Sequence, residues 1–189
     1  MTVDQMRKTL MARLNKNRFA HSIGVANTAV DIAKRFNLDT EQAYVAGLLH
    51  DCAREFENEQ LPVEAAKRSI PIIDVEYAVP LLLHAPIGAV MVNEVYGVDD
   101  PAVIQAIARH TVADKNMSPL DMIIYFADMI EPHRNYPGVD ELRLLAQSAT
   151  LEQMFFEGLN QSLAFVISKG SLVHPKTVDA RNFILLHKV

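Results

Sequence analysis

The stretch Asp39-Thr-Glu-Gln-Ala-Tyr-Val-Ala-Gly-Leu-Leu-His-Asp51 decides how this chain is read. Asp39 with Gln42 three residues later is an N-cap pair, so a helix starts there. Its inner face carries Ala43, Gly47 and His50. The small residues on that face predict a neighbouring helix at close range. The neighbour lies immediately upstream: from about Arg18 to Phe36 the pattern is helical, with His21, Val25, Thr28 and Ile32 on one face.

Further out the same period continues. Met6, Leu10 and Leu14 form the stripe of a first short helix. The stretch Glu55–Pro80 is more broken, with a short helix near Pro62–Arg68 and a turn at Ile70-Pro71. Pro86 suits the first turn of a helix that ends near Gly97, and His84 sits just before it. Asp99-Asp100-Pro101 starts the next, with Val103, Ile107 and His110 on one face. Ser118-Pro119-Leu120-Asp121 combines an N-cap, a proline in the first turn and an acid, and opens a helix whose one side carries Asp121, Ile124, Tyr125 and Asp128. After the turn-rich loop Glu131–Gly138 come helices near Val139–Ser148 and Thr150–Lys169, a cap at Gly170, and a last helix from about Thr177. No repeat, linker or alternating strand pattern interrupts this. The expectation is one all-α bundle over residues 1–189.

Composition agrees. The chain has 189 residues, half of them hydrophobic, with few aromatics and no Trp. A chain of this length buries roughly 70% of its unfolded surface and needs no staple. The net charge is −5 with both signs interspersed, which gives no basic patch for nucleic acid. A phosphate-ester substrate would therefore need local cations. The single cysteine, Cys52, rules out an internal disulfide and fits a reducing compartment. The N-terminus lacks the apolar run of a signal peptide, and no window reaches the roughly 18 apolar residues of a membrane span. The expected location is the cytoplasm, without membrane attachment. A homodimer is the default oligomeric expectation, because two-fold dimers are the commonest assemblies.

Three helices each place one histidine inward, namely His21, His50 and His110, and a fourth does the same with Asp128. Imidazole and carboxylate together suit a borderline divalent ion such as iron, manganese, cobalt or zinc, and bundle interiors are where facing helices converge such ligands. Each residue also has an ordinary reading. A lone histidine on an apolar face is usually a satisfied core residue, and Asp128 would be satisfied by a salt bridge to Arg134. A buried unpaired carboxylate is costly, so Asp128 needs either that cation or another. Cys52 reads as a small buried side chain, Tyr136 as an anchor of its turn and His133 as exposed. Arg143 and Arg181 read as partners of Asp140, Glu141 or Asp179.

The ordered set His21, His50-Asp51, His84, His110 and Asp128 resembles the HD superfamily of metal-dependent phosphohydrolases. Arg18–Val25 (RFAHSIGV), Gly47–Arg54 (GLLHDCAR), His84–Gly88 (HAPIG), Ala127–Arg143 (ADMIEPHRNYPGVDELR) and His174–Asn182 (HPKTVDARN) are similar to the YqeK family, a group of symmetrical diadenosine tetraphosphate hydrolases that use iron and release ADP. The resemblance implies an HD-type bundle with an interior metal site held by His21, His50, Asp51 and Asp128. It implies one or two ions, most simply iron. Asp51, His84 and His110 become the catalytic residues, with the two histidines facing phosphate or a second ion. His21, Asp51, His84, His110, Thr111, Asp128 and Arg134, with Gly170, Ser171, Leu172, Val173, His174 and Pro175, become the substrate-binding set. The implied reaction is cleavage of diadenosine tetraphosphate to two ADP through a metal-activated water. The alternatives are another HD-type nucleotide phosphohydrolase or phosphodiesterase, or a nucleotide-binding regulatory module without turnover. The chain departs from the family pattern at Arg54, where Lys is usual, and at Thr111-Val112-Ala113, where Thr-Thr-Gly is common. Both changes bear on phosphate contact rather than on the metal ligands.

Overall fold

Side-chain caps start most of the helices. Thr2 and Gln5 cap each other's backbone ahead of α1 (Val3–Arg13). The Asn15 side chain accepts from the Arg18 amide at 2.9 Å, so α2 (Lys16–Arg35) begins two residues earlier than its apolar pattern suggested. Asp39 caps α3 (Thr40–Leu49) as expected, but Gln42 does not reach back to it; its amide donates instead to Asp100 at 2.8 Å. Asp100 in turn caps α7 (Pro101–Arg109), so one side chain ties two helix starts together. Ser118 and Asp121 form the full reciprocal box ahead of α8 (Pro119–Ile130).

The computed structural model describes residues 1–187. The remaining helices are α4 (Leu61–Lys67), α5 (Asp74–Ala78), α6 (His84–Tyr96), α9 (Val139–Ser148), α10 (Leu151–Ser168) and α11 (Pro175–His187), with 3-10 turns at Cys52–Glu55 and Pro80–Leu83. No strand occurs among the described residues, and no helix there is long and apolar enough to cross a membrane. Three boundaries differ from the sequence reading. α5 and the Pro80–Leu83 turn lie in the stretch read as broken. α6 starts at His84, with Pro86 inside its first turn, where a missing amide costs nothing. α11 starts at Pro175, whose fixed φ suits a first helical position. Thr177 spends its hydroxyl on the Val112 carbonyl at 2.8 Å. Arg143 meets Asp140 as read, but Arg181 donates to Asn160 and stacks on Phe156, while Asp179 pairs with Lys115.

α2 packs on α3 and α8, α7 packs on α3, α6 and α8, and α10 covers α8. The core is aliphatic, with Val25, Leu48, Leu49, Ile87, Ile107, Ile123 and Ile124 fully buried. Burial of each such side chain contributes about 1.5–3 kcal/mol. Gly47 is what lets α3 lie on α2: a Cβ there would sit 2.8 Å from the Ala26 Cα and 3.0 Å from its amide nitrogen. These are backbone atoms of a helix and cannot give way individually. Gly47→Ala is therefore expected to destabilise the fold by about 1–3 kcal/mol, although alanine is the better helix former. Urea unfolding followed by circular dichroism checks this; an unchanged midpoint would contradict it.

Candidate metal centre

The expected ligands converge. α2 brings His21, the end of α3 brings His50 and Asp51, and α8 brings Asp128. His21 Nε2 lies 3.2 Å from His50 Nε2, 3.0 Å from Asp128 Oδ1 and 3.6 Å from Asp51 Oδ2, and His50 Nε2 lies 3.5 Å from the same Asp51 oxygen. The other Asp51 oxygen, Oδ1, faces His84 Nε2 at 3.2 Å and His110 Nε2 at 3.7 Å. Those two nitrogens are 3.0 Å apart, and the Thr111 hydroxyl is 3.1 Å from each. Asp51 thus stands between two groups, His21–His50–Asp51 and Asp51–His84–His110, all buried, and each close enough to hold one ion. Asp128 faces both neighbours its position offered, since the Oδ1 beside His21 also accepts from Arg134.

A single local device orients three of the imidazoles. His50, His84 and His110 each stand at the end of a helical segment, and each Nδ1 bonds the carbonyl three residues back, of Gly47, Leu81 and Ile107. The last carbonyls of a helix lack partners of their own, so they are free for this. Each Nδ1 accordingly carries the proton, and each Nε2 turns its lone pair to the centre. His21 lies inside α2, where the helix uses its own carbonyls, so it needs an outside acceptor. Glu131 supplies it: Oε1 lies 3.1 Å from His21 Nδ1, while Oε2 accepts from the His133 amide at 2.8 Å and from its ring at 2.9 Å. Gly24 makes room, because a Cβ there would collide with Glu131 Oε2.

Four lone-pair nitrogens and carboxylate oxygens therefore face one another with few donors among them. Such a donor set fits a divalent cation, and outer acceptors on ligating histidines are the usual support for one. The electrostatics agree for His50 and His110. Burial and neighbouring histidines push His110 down to about 3, and burial lowers His50, so both are neutral. For His21 burial favours the neutral ring, yet Asp128 and Glu131 outweigh it and its pKa is raised. Burial opposes ionisation of Asp51, but the surrounding histidines hold its carboxyl well below the usual range. Glu131→Gln is expected to lower divalent-cation affinity about 10–100-fold without unfolding the protein. Calorimetric titration with manganese checks this, and equal affinity would remove Glu131 from its supporting role.

The sequence reading left Arg18 and Glu131 without a role and took Arg54 only as a departure bearing on phosphate contact. Arg18, one turn before His21, donates to Asp51 Oδ2 at 2.7 Å. Its i, i+3 spacing from His21 was the available signal. Glu131 gave none, since it lies 110 residues from the histidine it serves. Arg54 is half-buried and has no carboxylate partner among the described residues; burial and the nearby Arg18 lower its pKa. With Arg18, Arg134 and Lys169 it lines a cavity of about 860 Å³ that opens onto Asp51, His84, His110 and Thr111. Leu81, Leu82, Met129, Tyr136 and Phe165 form its apolar wall. These are the local cations that the chain's overall negative charge called for. Tyr136 anchors its turn through the Met129 carbonyl, and His133 is exposed. Cys52 Sγ sits 3.7 Å from the Gly88 carbonyl, and burial raises its pKa, so it stays a thiol.

The segment Gly170–Pro175 lies beyond the cavity lining, which ends at Ser168 and Lys169. Gly170, Ser171, Leu172 and Pro175 are exposed, Val173 is half-buried, and His174 turns inward, its Nε2 lying 3.5 Å from Glu76 of α5.

Comparison with known proteins follows the same lines. The model of the HD domain matches residues 18–132. The symmetrical bis(5'-nucleosyl)-tetraphosphatase of Bacillus subtilis (strain 168) is 35% identical over 173 residues, 92% of each chain. The protein of the same name from Halalkalibacterium halodurans is 35% identical over 175 residues, 93% of this chain and 92% of the relative. A crystal structure from Clostridium acetobutylicum, described as a predicted HD superfamily hydrolase involved in NAD metabolism, superposes with a TM-score of 0.94 at 38% identity, covering 100% of this chain and 99% of that one. The chain belongs to the HD domain family.

Proposed function

We propose that this protein is a divalent-metal-dependent hydrolase that cleaves diadenosine tetraphosphate symmetrically into two ADP. The observation that carries the reading is the pair of donor groups sharing Asp51 at the floor of a cavity lined by Arg18, Arg54 and Arg134. The relatives named as symmetrical tetraphosphatases supply the substrate class.

His21, His50, Asp51 and Asp128 would hold one ion, and Asp51, His84 and His110 a second; iron is the ion we favour. A bound divalent ion supplies Lewis-acid charge and lowers the pKa of water it holds. The remaining work falls to the chain. Water adds to one of the two central phosphorus atoms, the P–O bond of the central bridge breaks, and the bridging oxygen leaves on the second ADP. That oxygen is stable as an anion, so charge serves it better than a proton. Arg134 and Arg18, whose planar forks match phosphate oxygens, stand beside the centre to provide it. His110, whose pKa is lowered by burial and by neighbouring histidines, turns its Nε2 to the centre. The Thr111 hydroxyl, between His84 and His110, can donate to a phosphate oxygen. Tyr136 and Phe165 in that wall offer ring faces on which an adenine stacks, each such contact contributing about 1–3 kcal/mol, and Leu81 adds apolar contact. Gly170–Pro175, which continues from the Lys169 rim, completes the nucleotide site in this reading. The buried, protonated Cys52 suits a reducing compartment, and we place the enzyme in the cytoplasm.

The test is incubation of iron-loaded protein, kept anaerobic, with diadenosine tetraphosphate. ADP as the sole nucleotide product is expected, with loss of turnover on chelation. AMP plus ATP, or no turnover, would overturn the reading.

A further inference from the structure

A second cavity, of about 500 Å³, reaches His21 of the same centre from another side. Asn17, Arg18, His21, Glu131, His133 and Arg134 line it. Arg18 and Arg134, which pair with Asp51 and Asp128, also line the larger cavity, so these two residues border both. No large apolar side chain lines the smaller cavity, in contrast to the base-sized apolar wall of the larger one. Its volume lies within the roughly 300–1,000 Å³ of ligand sites. Its one acid, Glu131, is 1% exposed. Both oxygens of that carboxylate are occupied, by His21 on one side and His133 on the other. An anion entering there meets two arginines and a satisfied, covered carboxylate.

We propose that this cavity is a second nucleotide subsite, holding the phosphates and ribose of the substrate half that the larger cavity does not hold. The inference rests on the hydrolase reading above and deepens it. Breaking the central bridge of a dinucleoside tetraphosphate leaves a nucleoside diphosphate on each side of the reacting phosphorus. Attacking and leaving oxygens in such a displacement are roughly in line. The two halves therefore depart from the centre in different directions, and a centre flanked by two cavities gives each half its own. The larger cavity takes one half, base included. The smaller takes the other by its phosphates and ribose and leaves the second base near its mouth, beside exposed Asn17. On this arrangement Arg18 and Arg134 touch the phosphates of both halves.

The test counts ADP bound to manganese-loaded protein by calorimetry and equilibrium dialysis. Two ADP per wild-type chain are expected. Asn17→Trp, which fills the mouth, and Asn17→Glu, which repels an anion, should each weaken one site at least about tenfold and leave the other within about twofold. Asn17 is exposed, and two unlike substitutions guard against a folding artefact. One ADP per wild-type chain would overturn the proposal. So would two sites unchanged in both variants, or equal weakening of both sites. Turnover of diadenosine tetraphosphate by the same wild-type preparation judges the hydrolase reading separately, since ADP stoichiometry does not depend on it.

Discussion

Asp51→Ala is expected to leave the protein without its divalent cation and to cut turnover of diadenosine tetraphosphate by at least about 10³, some 4 kcal/mol of transition-state stabilisation. The size follows from position. Asp51 is the one residue common to both donor groups, with a separate oxygen turned to each. Loss of any one histidine damages one group, whereas loss of Asp51 damages both. The fold should survive. The carboxylate is surrounded by four imidazoles that each keep an Nδ1 partner, and its ion-pair partner Arg18 can turn to solvent from a half-exposed position. A second readout separates ligation from folding. Cation at about 100 times its Kd stabilises a protein that binds it only when folded by about 2.7 kcal/mol. Wild-type protein should show that gain as a raised melting temperature, and Asp51→Ala should show none. Normal metal content with normal turnover in the variant would end the metal-centre reading.

Arg134→Ala should separate charge stabilisation from metal binding. Removal of one well-placed donor from a developing oxyanion typically costs about 10²–10³ in rate, or about 2.7–4 kcal/mol, and a loss of that order in kcat/KM is expected. Metal content should hold. Arg134 grips Asp128 through both its carboxylate and its backbone carbonyl, the latter at 2.7 Å. Without the arginine, the carboxylate loses a competitor for its oxygens and becomes more available to a cation. Arg134→Lys should recover only part of the lost activity, because an ammonium lacks the two-pronged fork. Metal loss in Arg134→Ala would instead make the arginine a support for Asp128, with no direct part in phosphate chemistry.

How much of this was legible depended on how far apart the partners lie in the chain. Helix starts were readable at Asp39 and Ser118, where the capping side chain stands with a Gln or Asp three residues on, but not at Asn15, which has neither there. The inward faces carrying His21, His50, His110 and Asp128 followed from a period of 3.6, and the close approach of α3 to α2 from a glycine at the contact. Boundaries slipped by two residues where a proline sits inside the first turn, as at Pro86 and Pro175. α5 escaped because five residues give too little pattern. At the centre, residues near in sequence or spaced like helix neighbours could be grouped, but contacts formed only by the fold could not. Glu131 behind His21 is the plainest example, and Gln42 meeting Asp100 is another. Arg181 lies two residues from Asp179 in sequence, yet the packing of α11 on α10 turns it to Asn160 and Phe156.

The adjacency of His50 and Asp51 has a consequence for how this chain can change. Successive residues of a continuous helix point about 100° apart. These two meet one centre because α3 ends at Leu49 and the backbone departs from helical geometry at Asp51, with φ −102° and ψ 17°. The length of α3 therefore acts as a gauge. One residue inserted between Gly47 and His50 would swing both side chains away together, although every residue of the pair would still be present. Insertions elsewhere, in the exposed turn after α10, would leave that gauge untouched. A protein of this kind can diverge widely at its rim while the count of residues along one ten-residue helix stays fixed.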